Sequence, residues 1–229
     1  MTNVDLDRKA RDILDDSEFS LILAQAKKNE CEFLGYRNPA ILCMLRITGK
    51  RREEIAALEN KDVWVSRGLL QMNFILLKKH HRKKLPDGTY APPLPPPEIV
   101  KRVSIKDPLT HDILEYIYYV KELRENPLYF WPSVRNVFGN YVVEFDKGIT
   151  GRTVYDVVRD SADKAGIVAW PHLFRETAGA EEVIKDSSLY GVYKVANRIN
   201  VTERTAWNYM QRHALNVIKR DYQNEDQIP

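Results

Sequence analysis

The stretch that decides the reading lies in the last quarter of the chain: Trp170-Pro171-His172-Leu173-Phe174-Arg175-Glu176-Thr177-Ala178. Pro171 suits the first position of a helix, where its missing N–H has no intrahelical partner to lose. Leu173, Thr177, Ala180 and Ile184 then recur every three to four positions, which predicts a helix. On it His172 and Arg175 stand at i and i+3 and face the same way. One proton-transfer group and one rigid fork of donors therefore aim at a common point. A phosphate with a leaving oxygen is a target that uses both. A lone H-x-x-R is far more often an ordinary surface pair, so the rest of the chain has to decide.

At 229 residues the chain can bury one sizeable core, and its 44% apolar and 29% charged composition is that of a soluble globular protein. A net charge of +3 makes a weak case for nucleic acid, but the distribution makes a better one. Between Arg67 and Lys84 there are six Lys or Arg and no acid. Cys31 and Cys43 do not form a disulfide framework, and no Cys/His spacing resembles a zinc site. No apolar run is long enough to span a bilayer, and the N-terminus has no signal-peptide pattern. The reading is a cytosolic, reduced protein with no membrane partner.

In order, residues 5–28 read as helix, with a cap-like break at Asp15-Asp16-Ser17. Pro39 opens an all-round apolar helix, Ala40–Ile47, which belongs in the middle of a core. Gly49 suits a left-handed stop, and a new helix follows over Lys50–Leu58. In it Glu54 can hold Arg51 one turn away. The pair is either an exposed ion pair worth a few tenths of a kcal/mol or an orienting contact beneath a cleft. Asp62–Val65 and Leu69–Lys79 read as strands around an Arg67-Gly68 turn. Next come the basic run Lys78-Lys79-His80-His81-Arg82-Lys83-Lys84 and a Pro-rich loop over 85–97, with Lys101–Ile105 as the returning strand. The run is either a solvated hairpin tip or a surface pressed on a phosphate backbone.

Pro108–Glu125 reads as helix and 128–132 as an apolar turn. Residues 137–147 read as an irregular strand or loop broken at Phe138-Gly139-Asn140-Tyr141. Thr150 caps a helix that Gly166 ends, Pro171 starts the next, and Leu189–Ala196 is the helical middle of another. Thr202 caps a last helix carrying Tyr209, and residues 221–229 form a polar tail. No internal repeat is visible. The expected fold is mainly α, a single helical domain over 1–229 with a small antiparallel β-sheet or hairpin.

Three separated pieces now resemble the catalytic domain of the tyrosine recombinase (phage integrase) family. Thr48-Gly49-Lys50-Arg51-Arg52-Glu53-Glu54-Ile55 resembles its T-G-x-R-x-x-E-[LI] segment, and Pro171-His172-Leu-Phe-Arg175-Glu176-Thr177 its P-H-x-L-R-H-T segment. Thr205-Ala-Trp-Asn-Tyr209 resembles its T-x-x-x-Y, 34 residues beyond Arg175. The strand–Lys–strand piece falls between the first two, as in the family. The resemblance covers roughly residues 15–215. It implies a helical catalytic domain that cleaves and rejoins DNA strands through a tyrosine. The chain departs from the pattern at Glu176, where the family usually has histidine. It departs again at Asn200, where it has histidine or tryptophan, with Arg198 close by as a substitute. The helical DNA-clamping domain that usually precedes the catalytic one has no counterpart here, so the chain is either a fragment of a longer recombinase or a minimal enzyme.

The resemblance assigns roles residue by residue. Arg51 and Arg175 chelate the charged equatorial oxygens of the transition state, a task that needs planar, always-charged forks. Tyr209 attacks phosphorus, and nearby cations must favour its phenolate. Lys79, with Lys78 as the alternate, protonates the leaving 5′-oxygen, because neighbouring strand residues face opposite ways and only one can point at DNA. His172 assists proton transfer or orients the phosphate. Supporting candidates are Glu54, Lys78, Glu176, Arg198 and Asn200. Lys78, His80, His81, Arg82, Lys83 and Lys84 are the expected DNA contacts. The product is a 3′-phosphotyrosine, formed with no metal and no other cofactor. The partners implied are double-stranded DNA and further copies of the chain, as dimer or tetramer, in the cytoplasm at the nucleoid. Type IB topoisomerases share this chemistry, and a non-cleaving DNA-binding relative would fit Glu176 and Asn200.

Overall fold

The computed structural model describes residues 13–77, 97–186, 188–199, 201–208 and 211. Helix α1 (Asp16–Lys27) begins at the expected break. Asp15 Oδ1 accepts from Glu18 N at 2.8 Å, and Glu18 Oε2 accepts from Asp15 N at 3.1 Å. Each satisfies a donor that a helix start leaves open.

Helix α2 (Glu32–Thr48) is the central element, with every residue from Ala40 to Leu45 fully buried. It packs on α1 and on helices introduced below. It also corrects the sequence reading, because Pro39 lies inside the helix instead of opening it. An internal proline costs about 3 kcal/mol. The complete burial of Ala40 to Leu45 just beyond it offsets that cost. Gly49 ends α2 at φ 59°.

Helix α3 is shorter than expected, Arg52–Ala56, because Lys50 and Arg51 precede it and Arg51 is its N-cap. Strands β1 (Val63–Ser66), β2 (Leu69–Ile75) and β3 (Glu98–Ser104) form an antiparallel sheet in that order. Arg67 and Gly68 make the first turn with φ of 52° and 73°, the positive values that a two-residue hairpin needs. Leu70, Met72 and Phe74 alternate into the core. Leu76 N donates to Pro97 O at 3.0 Å, closing the base of the β2–β3 hairpin.

Helix α4 (His111–Leu123) follows a 3-10 turn at Pro108–Thr110. Strands β4 (Pro132–Val137) and β5 (Asn140–Gly148) then form a second, two-stranded sheet. Of the two readings of 137–147, strand or loop, the strand describes β5, while β4 was not expected. The Phe138-Gly139 break is the turn of a hairpin, at φ 51° and 87°. Helix α5 (Gly151–Lys164) starts at its Thr150 capping box, and Gly166 follows its end at φ 71°. Helix α6 (Pro171–Lys185) has Pro171 in its first turn, and α7 (Leu189–Ile199) packs against it. Residues 203–208 are helical, with Thr202 Oγ1 accepting from Thr205 N at 3.3 Å.

The main core gathers the inner faces of α1–α6 and β2 around fully buried Trp131, whose indole N–H donates to Ile55 O at 2.9 Å. A second cluster joins Ala178, Val183, Val192, Val195, Ile199 and Ala206. Arg46 and Arg198 tie the two regions together. Arg46 reaches Asp16 and Glu181, each at 2.7 Å, and Arg198 reaches Glu181 at 3.0 Å and Glu182 at 2.6 Å. Among the described residues no helix is long and apolar enough to cross a membrane.

Candidate active site

The site is built at the corner where α2 stops. The carbonyl of Gly49 accepts from Arg175 Nη1 at 2.8 Å. A β-carbon on Gly49 would stand 2.7 Å from Ile199 Cγ2 and 3.0 Å from Ala178 Cβ. The left-handed backbone and the close approach of α6 and α7 both call for glycine. One residue type thus fixes where Arg175 meets the end of α2.

Two positions on, Arg51 is held by Glu54. Glu54 Oε2 accepts from Arg51 N at 3.0 Å, and Oε1 from Arg51 Nη1 at 3.1 Å. The Glu54 side chain is fully buried while that of Arg51 is 35% exposed. Of the two sequence readings, the orienting one therefore describes the geometry. A buried carboxylate grips one edge of the guanidinium and leaves the rest facing out.

A cleft of about 550 Å³ lies between the start of α3 and the start of α6, lined by Lys50, Arg51, His172, Arg175 and Thr205 among others. Arg175 is 4% exposed. His172 is exposed, with Nε2 3.5 Å from Glu176 Oε1 one turn along α6. At the start of α6 Pro171 carries no N–H and Leu173 N donates to Trp170 O at 2.9 Å, so the backbone adds only its dipole, positive end towards the cleft. Lys50, Arg51, Arg52 and Arg175 thus converge on one concavity, where Glu53 is paired with Arg52 at 2.6 Å, and the balance of charge suits an anion.

Lys50 is the group that sequence reasoning missed. It is 1% exposed, and its Nζ has no hydrogen-bond partner among the described residues. Burial, and then the positive charges of Lys101, Arg175 and Arg51, pull its pKa down to about 8. Lys101, on β3, is pulled down to about 8 by burial and by Arg198, and its Nζ donates to Asn197 O at 2.6 Å. A signal for Lys101 was present in the alternation of Ile99, Lys101 and Val103 along one strand face. None existed for Lys50, which stands between two helices where a lysine reads as surface.

Arg198 is placed elsewhere. It pairs with Glu181 and Glu182 and lines a different cavity of about 720 Å³ with Lys101 and Lys194, so the structure does not bring it into the cleft. Lys78, Lys79, His80, His81, Arg82, Lys83, Lys84, Asn200 and Tyr209 lie outside the described residues, as do most of the 85–97 loop and the 221–229 tail. Among the described residues one metal-type grouping occurs, His111–Asp112–Glu115, and its Asp112 is already paired with Lys27 at 2.5 Å.

No family model and no curated protein sequence matches the chain. Solved structures do. XerH site-specific recombinase, in a pre-cleavage complex with its difH substrate, superimposes with a TM-score of 0.60 at 17% identity, covering 87% of this chain and 50% of that one. XerA recombinase gives 0.61 at 16% identity, with coverages of 96% and 66%. A lambda integrase dimer bound to a COC′ core site gives 0.51 at 13% identity, with coverages of 87% and 48%. The chain spans about half the length of XerH. These neighbours are tyrosine recombinases, and the chain has the fold of their catalytic domain, mainly helical with a small antiparallel sheet.

Proposed function

We propose that the chain is a site-specific DNA recombinase or integrase that cleaves and rejoins strands through a covalent 3′-phosphotyrosine at Tyr209, without a metal ion. The observation that carries the reading is the meeting of Arg51 and Arg175 in one cleft, the first steadied by buried Glu54 and the second by the Gly49 carbonyl.

Attack of a phenol on a phosphodiester builds charge on the equatorial oxygens of a five-coordinate phosphorus. Two fixed guanidinium forks match those oxygens and need no reorganisation as the charge develops. In the proposed step the Tyr209 oxygen bonds to phosphorus while the bond to the 5′-oxygen breaks. The phenolic proton leaves towards His172, and Lys79 protonates the departing 5′-oxygen. The phosphotyrosine keeps the ester energy, so a 5′-hydroxyl of a second strand reverses the step without ATP. Thr205, which lines the cleft, precedes Tyr209 by four residues in the sequence.

XerH and lambda integrase were each captured on DNA, the latter as a dimer. By that likeness double-stranded DNA is the proposed partner, met by the Lys78–Lys84 run, and copies of the chain assemble on it. A second reading, a relative that binds DNA without cutting it, is favoured by Glu176 facing His172 where the family has histidine. The test is a nicked suicide substrate in EDTA-containing buffer, resolved on a denaturing gel. A protein–DNA adduct is expected. DNA binding with no adduct would replace the enzyme reading with the second one.

A further inference from the structure

We propose that Lys50 is a catalytic residue of this cleft, its ammonium contacting a non-bridging oxygen of the scissile phosphate beside Arg51 and Arg175. The inference rests on the phosphoryl-transfer reading above and adds a cation at the position that the T-G-x-R segment leaves unspecified.

Three observations support it. The Lys50 side chain is fully buried yet its Nζ has no hydrogen-bond partner among the described residues. A buried ammonium without a partner is strongly destabilising. The Phe74 ring, 5.6 Å from Nζ, offsets only part of that cost. Second, Lys50 lines the same cleft as the two arginines. Third, the charges around it do not balance. Glu53, which also lines the cleft, is paired with Arg52 at 2.6 Å. Lys101 on β3, Arg51 at the cap of α3 and Arg175 on α6 act on Lys50 with positive charge, and Glu54 on α3 acts with negative charge. That carboxylate is already taken by the Arg51 backbone and guanidinium. With Glu53 and Glu54 both committed to arginines, the remaining positive charge is a surplus that an anion entering the cleft would neutralise.

An arriving phosphate supplies the acceptor that Lys50 lacks. Its ammonium transfers no proton in this assignment; it adds a point charge where the arginines add forks. Burial pulls the pKa of the amine down to about 8 in the DNA-free protein, so cleavage measured as kcat/KM should fall as pH rises through about 8. Bound phosphate should raise that value, since an anion favours the charged form.

The experiment uses the full chain and Lys50→Met, which keeps length and removes charge. Circular dichroism and thermal unfolding establish that the variant folds. On the suicide substrate, its adduct formation should fall roughly a hundredfold, the scale of losing one preorganised donor, with DNA binding changed far less. In parallel, 15N-lysine NMR follows the Nζ resonance that Lys50→Met removes. Saturating inorganic phosphate should raise its pKa by about one unit or more. If wild type forms adduct and the variant matches it within threefold, Lys50 is packing and the proposal is overturned while the recombinase reading stands. If wild type forms none, the recombinase reading fails, and the phosphate titration alone decides whether Lys50 belongs to an anion site. An unmoved pKa would overturn it there too.

Discussion

Gly49→Ala is the substitution whose effect the structure specifies most fully. Gly49 has φ 59°, and an added methyl would meet Ile199 Cγ2 at 2.7 Å and Ala178 Cβ at 3.0 Å. The left-handed backbone costs an alanine about 1 kcal/mol. Forcing a methyl into a packed contact between α6 and α7 costs about 1–3 kcal/mol more. The sum is a loss of roughly 2–4 kcal/mol. Gly166→Ala is the control, because its φ is 71° but nothing lies within 4 Å of the added carbon. It should lose about 1 kcal/mol. The entropy that alanine removes from the unfolded chain is common to both and cancels in the comparison. Urea unfolding at a shared m-value reads the difference. Because the Gly49 carbonyl also holds Arg175, adduct yield should drop in Gly49→Ala and not in Gly166→Ala. If Gly49→Ala is no more destabilised than Gly166→Ala, the packing of α6 and α7 onto the end of α2 is wrong as described.

Arg51→Lys and Arg175→Lys should each lower adduct formation by roughly a hundredfold or more, with DNA binding changed only a few-fold, because a point charge cannot chelate two oxygens. Near-wild-type cleavage in both, measured on the suicide substrate, would remove the phosphate-clamp assignment. Lys50 also makes a pH prediction. Its folded-state pKa of about 8 lies below the ordinary 10.5, so between those values the unfolded chain holds a proton that the native state has released. Stability should therefore rise with pH across that window, by roughly 3 kcal/mol from Lys50 at most. Lys50→Met should make the rise in urea titrations from pH 7.5 to 10 shallower, leaving the part due to Lys101, and an unchanged slope would contradict the burial of its charge. Finally, replacing Lys78, Lys79, Arg82, Lys83 and Lys84 with glutamine should weaken DNA binding and make its salt slope shallower. An unchanged slope would leave the run as a solvated tip.

Much of the fold was legible because local chemistry marks element ends. Asp15, Gly49, Thr150, Gly166 and Pro171 each begin or end the helix that their residue type favours. Pro39 misled because core burial outweighed a local preference. For β5 the choice between strand and loop stayed open, and β4 was hidden, because their residues are half-exposed or exposed for most of their length and no apolar alternation announced the hairpin. In the site, the i,i+3 spacing anticipated the Arg51–Glu54 contact. It could not choose between surface and cleft, since that depends on which helices close over Glu54. Lys50 was invisible for the same reason. Its surroundings, the Phe74 ring and the charges of Lys101 and Arg175, are brought together only on folding.

The central claim is that Tyr209 becomes joined to a DNA 3′-phosphate. The most direct measurement traps the adduct on a nicked suicide substrate in EDTA, digests it with protease and maps the DNA-linked peptide by mass spectrometry, with Tyr209→Phe alongside. The account predicts a single linked peptide containing Tyr209, full yield in EDTA, and a folded Tyr209→Phe variant that binds DNA and forms no adduct. Linkage at Tyr222 or Tyr190, or loss of the adduct in EDTA, would contradict it.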